Sequence, residues 1–184
     1  MIAVSPERPN SARDDRFSTR DLLGYLLCRH ATWRDIQRTI DPGYFERPIV
    51  LNDDLRKMRS VLGQKHEQQW VEALRARGIT VESLSKKDGV QARQERTAAA
   101  MAAGVQAIHG GVLGTETWMG EPDLLIRRDV FERHFGAGEQ LAASADEGSA
   151  KHIYEVADIK LMGSLTVPTL LQVAFYAELM AEIQ

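Results

Sequence analysis

The fragment Tyr154-Glu155-Val156-Ala157-Asp158-Ile159-Lys160 sets a carboxylate and an ammonium two residues apart. Its β-formers Ile153, Tyr154, Val156 and Ile159 predict a strand over 152–160, and on a strand alternate side chains leave from one face. Asp158 and Lys160 therefore share a surface. A second carboxylate, Asp123, closes the turn Gly120-Glu121-Pro122-Asp123 just before the apolar run LLIRR. A neighbouring strand would bring Asp123 beside Asp158. Two such carboxylates make a hard-oxygen site suited to Mg²⁺ or Mn²⁺. A cation held there polarises a phosphoryl oxygen and lowers the pKa of a bound water, while the ammonium orients the nucleophile or offsets added negative charge. Phosphodiester hydrolysis needs those functions together. An isolated Asp-x-Lys triplet is more often a surface ion pair of small value, so the reading depends on its neighbours.

Gln172 and Tyr176 lie four apart, one helical turn on one face, where an amide and a phenol can reach a phosphate or a base. The alternative is a helix-boundary amide and a packing tyrosine. His66 continues the row Met58, Leu62, Trp70 and Leu74, which predicts that its imidazole points inward. An inward histidine is either a hydrogen-bonded core residue or a nitrogen ligand.

The elements that must position these residues follow from periodicity and breakers. Residues 1–16 are polar, carry two prolines and have no period, which predicts an arm. From Ser18 or Thr19, either able to cap, RDLLGYLLCRHATWRDIQ reads as one helix; LRKMRSVLGQKHEQQWVEALRARG reads as a longer one stopped by Gly78. A β-like ITVESL precedes a turn over 86–89, and QERTAAAMAAGV is helical in pattern. Strands are expected near 105–113, 117–128 and 152–160, an exposed loop over 136–150, and a last helix opened by Pro168. No internal repeat occurs, and no G-x-x-x-x-G-K-[ST] phosphate loop, so no ATPase activity is predicted.

In order along the chain, His66-Glu67, Gly120-Glu121-Pro122-Asp123, Tyr154 to Lys160, and Gln172-Val173-Ala174-Phe175-Tyr176 resemble the motif series of RecB-like nucleases of the PD-(D/E)-x-K superfamily. The resemblance extends to STRDLLGYLLCRHATWRDI and TAAAMAAGVQAIHGGVL, covering most of 18–184, and is closest to bacterial RecB-like nucleases often joined to helicase-type domains. It implies an α/β, restriction-endonuclease-like α-β-β-β-α-β core, a mixed central sheet flanked by helices, with residues 17–184 as the nuclease domain. It implies His66, Asp123 and Asp158 as metal ligands, Lys160 as the catalytic lysine, and Gln172 and Tyr176 as nucleic-acid contacts, Glu67 being a weaker candidate. The implied substrate is DNA, single-stranded or with single-stranded ends, in repair, recombination or processing, with a helicase domain or subunit as partner.

Two departures bear on this. Related iron-sulfur nucleases place one cysteine before these motifs and three after; Cys28 stands at the first place and the others are absent. The expectation is no iron-sulfur cluster in this chain, with Cys28 a small buried residue; the alternative puts the partners beyond residue 184. The closing strand is also missing, as if the domain were truncated.

A formal charge of −3 argues against coating nucleic acid by bulk electrostatics, although bound cations would neutralise ligand carboxylates and Arg29/Arg34/Arg38, Arg56/Lys57/Arg59/Lys65 and Arg93/Arg96 cluster locally. No run approaches the ~18 apolar residues of a membrane helix, and the N-terminus lacks an apolar secretory segment. A cytoplasmic location is expected. The rivals to a nuclease are a catalytically silent DNA-binding module attached to a helicase, and an interaction domain in which Asp158, Lys160 and His66 form only a polar network.

Overall fold

The computed structural model describes residues 16–41, 53–136, 152–160 and 165–184. The arm over 1–16, apart from Arg16, and the loop over 136–150, apart from Gly136, lie outside them. The described residues form a mixed α/β protein with six helices and two mixed sheets. None of the described helices is long and apolar enough to cross a membrane.

Strand β1 (Phe17–Ser18) leads into α1 (Thr19–Leu27), where the Asp21 carboxylate accepts from both the amide and the hydroxyl of Ser18 at 2.8 Å. Ser18 thus caps as expected. The single helix expected through residue 37 is instead two, because Cys28 is extended at φ −161° and ψ 99° and opens α2 (Arg29–Ile40). Its Sγ accepts from the Ala31 amide at 3.4 Å, satisfying a donor that a helix start otherwise leaves unpaired. Cys28 is also exposed rather than buried, since its role is at a helix end and not in the core.

Helix α3 (Asp53–Ala76) stops where expected. Gly78 takes φ 79°, and the amides of Gly78 and Ile79 return to the carbonyls of Arg75 and Leu74 at 2.9 and 3.1 Å. Its expected inward row does not hold along its length: Met58, Leu62 and Trp70 are 53%, 46% and 40% exposed, whereas Val71 and Leu74 are buried. The cause is a mismatch of lengths. Twenty-four helical residues rise roughly 36 Å, while the adjoining strand β2 (Val81–Ser83) has three residues, roughly 10 Å.

Helix α4 (Val90–Ala102) precedes β3 (Ala107–His109), β4 (Leu113–Gly114), β5 (Trp118–Gly120) and β6 (Leu124–Arg127). The two strands expected over 105–113 and 117–128 are each split, together forming one interrupted hairpin: β3 pairs antiparallel with β6 and β4 with β5. The interruption falls at 110–112 against 121–123. Gly110 sits there at φ 70°, donating its amide to the Asp123 carbonyl at 3.1 Å, and a Cβ would lie 2.9 Å from the Leu84 carbonyl oxygen. Pro122 on the opposite arm has no amide to pair. Helix α5 (Arg128–Phe135), closed by Gly136 at φ 45°, was not expected; its span is too short for a period to emerge.

Strand β7 (Tyr154–Ala157) completes a sheet in the order β2-β3-β6-β7, parallel between β2 and β3 and antiparallel elsewhere. Strand β5 stands between β1, parallel to it, and β4 in the second sheet. Helix α6 (Val167–Ile183) starts at Thr166, whose hydroxyl accepts from the Thr169 amide, with Pro168 in its first turn. One face of the larger sheet buries Ile108, Leu125 and Tyr154 with Leu179 and Met180; the other buries Leu124 and Ile126 with Leu74 and Val130.

Candidate active site

The β6–β7 ladder pairs Leu125 with Val156 and Leu124 with Ala157, so the next step of the register sets Asp123 opposite Asp158. Strand pairing ends at Ala157, and Asp158 and Lys160 stand just past it rather than on the expected strand. The reason is local: the Asp123 Oδ2 accepts the Ile159 amide at 2.7 Å, taking the place of a ladder carbonyl. Side-chain alternation survives the change. Lys160 Nζ lies 2.7 Å from Asp158 Oδ2, with the Asp158 side chain 2% exposed and that of Lys160 42%.

The two carboxyl groups act on one another, the charge of Asp158 disfavouring ionisation of Asp123. Burial pushes Asp123 up to about 7, against the pull of the Ile159 amide, and the charges of Asp158 and Glu67 push the same way. Burial opposes the charge on Lys160, but the hydrogen bond and charge of Asp158, with Asp123 and Tyr176, outweigh it and hold the ammonium above its ordinary pKa. Asp158 Oδ2 has this ion pair but no well-aligned hydrogen bond, a deficit that a buried carboxylate oxygen rarely carries.

Helix α6 brings Gln172 and Tyr176 to the same place. Gln172 Nε2 lies 3.5 Å from Asp158 Oδ1 and 3.1 Å from the Tyr176 hydroxyl, which in turn is 3.2 Å from the Thr19 hydroxyl. Tyr176 is buried against Gly120, where a Cβ would come within 2.7 Å of its ring. The pair thus forms a relay from α1 to Asp158, with Gln172 half-buried at the carboxylate.

Of the two neighbours on α3, Glu67 is the one whose charge acts on Asp123. It lies 3.8 Å from His109 Nε2, on β3. His66 is half-buried on the same helix and makes no hydrogen bond, ion pair or ring contact among the described residues. His109 is held below its ordinary pKa by burial, with Lys86 and Arg75 adding to the effect against Glu67, which leaves the imidazole neutral at pH 7.

Sequence reasoning gave no role to His109, named Arg93 only within a local basic cluster and Glu121 only as part of its turn. Arg93, almost wholly buried on α4, donates to Glu121 at 2.6 Å and to the Gly110 carbonyl at 3.3 Å, so it ties both arms of the hairpin interruption that carries Asp123. The signal for His109 was a polar side chain within an otherwise apolar run, whereas Arg93 stands among other polar residues of α4 and carried none. That signal is not specific without tertiary context.

Among the described residues no three His, Cys, Asp or Glu side chains are placed to hold a metal ion together. Two are close. A crowded carboxyl pair whose charges disfavour one another fits a hard divalent cation of the Mg²⁺ type, which takes one or two carboxylates and keeps several waters. Grooves of 220 and 280 Å³ lie elsewhere, sharing Leu22 and Trp118, and none of the residues of the carboxylate cluster lines them. No protein-family model, curated protein or solved structure matches this chain. The chemistry of the cluster is therefore what a functional reading has to stand on.

Proposed function

We propose that the chain is a metal-dependent nuclease of the RecB-like kind, hydrolysing DNA phosphodiester bonds with Mg²⁺ or Mn²⁺. The observation that carries this reading is the meeting of Asp123, Asp158 and Lys160 at one end of a sheet: two carboxyl groups set opposite one another by the β6–β7 register, with an ammonium 2.7 Å from an Asp158 oxygen. A bound cation would supply Lewis acidity and an activated water. Asp123 and Asp158 would hold it, with His66 in the ligand role that the motif series gives it. Lys160 keeps its charge at the mouth of the site, where it can face an attacking water or a phosphate oxygen. Gln172 holds Asp158 and is braced by Tyr176.

The same reading takes the core as restriction-endonuclease-like. The sequential antiparallel strands β3, β6 and β7 followed by α6 support it, while the parallel edge strand β2 is an addition to the expected order. The expected substrate is DNA with single-stranded character, and a helicase domain or subunit the expected partner.

Labelled single- and double-stranded DNA incubated with Mg²⁺, Mn²⁺ or EDTA tests the proposal. Cleavage is expected with either metal and not with EDTA, and Asp158→Ala and Lys160→Ala should each lower it at least ~100-fold. Metal-dependent cleavage that survives both substitutions would refute the assignment, and binding with no cleavage under any metal would favour a silent DNA-binding module.

A further inference from the structure

Two hydroxyls and an amide run from α1 to Asp158. The Thr19 hydroxyl lies 3.2 Å from that of Tyr176, the Tyr176 hydroxyl 3.1 Å from Gln172 Nε2, and Gln172 Nε2 3.5 Å from Asp158 Oδ1. Thr19 and Tyr176 are 9% and 3% exposed, so these hydroxyls must find their partners within the protein.

The chemistry of the end group sets the direction of the bonds. Asp158 is a carboxylate with the Lys160 ammonium 2.7 Å from its other oxygen, and a carboxylate only accepts. Gln172 therefore turns its NH₂ group, not its carbonyl, towards Oδ1. The same nitrogen carries a second N–H, which the Tyr176 oxygen accepts. A phenol has one proton. With its oxygen accepting from Gln172, that proton has the Thr19 oxygen as its one acceptor among the described residues. Were Thr19 to donate instead, the Tyr176 oxygen would accept twice and its own proton would stand unpaired in the interior, a state that buried hydroxyls rarely hold. The Thr19 backbone is held in place, since Ser18 before it pairs with Met119 on β5 and is capped by Asp21.

Resting on the nuclease reading for what Asp158 does, the geometry points to Thr19 as a positioning residue: its hydroxyl takes the Tyr176 proton and thereby keeps the Gln172 amide a donor to the carboxylate that would bind metal. Tyr176 then acts inward, through Gln172, and not on nucleic acid. Without the Thr19 oxygen the phenol proton finds only the Gln172 amide. A flip that offers the amide carbonyl to Tyr176 sets that carbonyl against the Asp158 carboxylate, acceptor against acceptor.

Thr19→Val keeps the shape of the side chain and removes the acceptor, whereas Thr19→Ser keeps the acceptor. In ¹⁵N NMR of the full chain in EDTA, the Gln172 side-chain amide, identified by its loss in Gln172→Leu, should shift in Thr19→Val and stay at its wild-type position in Thr19→Ser. Cleavage of labelled single-stranded DNA with Mn²⁺ should be about tenfold slower in Thr19→Val, the size expected for a group that orients a metal ligand, and close to wild type in Thr19→Ser. Tyr176→Phe removes the proton that Thr19 accepts, so adding Thr19→Val to it should change the rate by no more than about twofold. Should Thr19→Val not fold, the smaller Thr19→Ala deletes the same oxygen and carries the same expectations. A double variant slowed by the product of its single effects overturns the inference. Cleavage by a chain whose Gln172 amide ignores the loss of the Thr19 oxygen overturns this inference alone. A wild-type chain that cleaves with no metal added or withheld, while that amide responds as stated, overturns the nuclease reading and supports the direction of the hydrogen bonds.

Discussion

Asp123 is the residue at which the cost of the site is concentrated, because its carboxyl ordinarily titrates at 3.8 and here does so at about 7. Between those pH values the folded chain holds a proton that the unfolded chain has released. Stability in EDTA should therefore be fullest below pH 4 with respect to this group and fall as pH rises through the window, by up to about 1.4 kcal/mol per unit, flattening above 7. Urea denaturation from about pH 3.5 to about pH 7.5 spans the window and checks this, and Asp123→Asn should remove that slope while leaving other groups to titrate. An unchanged slope in the variant would show that the proton sits elsewhere. A divalent cation displaces the same proton, so its affinity should rise with pH through the same interval. The residues that make this arrangement were legible in the sequence as far as they are local: Asp158 and Lys160 by their spacing of two, Asp123 by its place after Pro122. Glu67 and His109 meet across 42 residues of chain, and no spacing rule reports an encounter made by packing α3 against the end of β3.

Elements were legible by type more than by extent. The strand runs over 105–113 and 117–128 contain the right residues, but Gly110 at positive φ and Pro122 without an amide divide both at one level, and it is this shared interruption that frees the Asp123 side chain for the Ile159 amide. Periodicity is blind to such a break because the apolar pattern resumes on its far side. The helix through Cys28 divides for a similar reason, its thiol serving as a cap that the apolar stripe does not announce. The tight fit between the hairpin and α6 yields a prediction at this scale. A methyl at Gly120 would stand 2.7 and 2.8 Å from the Tyr176 ring and 3.0 Å from Leu179, both buried side chains with little room to yield. Gly120→Ala should cost about 1–3 kcal/mol of stability, and because it pushes on Tyr176 it should also loosen Gln172 from Asp158. Denaturation together with the DNA cleavage assay measures both effects; full stability with full activity would mean that α6 is free to shift away from the hairpin.

At the scale of the whole molecule, the charge of −3 says little about a partner, because the carboxylates of the site are counted in it as though they faced water. A structure that sets Asp123 beside Asp158 and within reach of the Glu67 charge carries an electrostatic penalty in the absence of a cation, and folding and metal binding are linked through it. Mn²⁺ or Mg²⁺ at about 100 times its dissociation constant should stabilise the folded chain by about 2.7 kcal/mol. For a chain of this length that corresponds to a rise in melting temperature of roughly 5–10 °C. Thermal unfolding in metal against EDTA reads the shift. Asp158→Ala should lose most of it, since the remaining carboxylates no longer converge on a shared cation, whereas Arg96→Ala, which breaks only exposed pairs with Glu82 and Asp88, should keep it. A shift of equal size in Asp158→Ala and wild type would place the stabilising ion outside this cluster and remove the thermodynamic support for a metal centre at the end of the sheet.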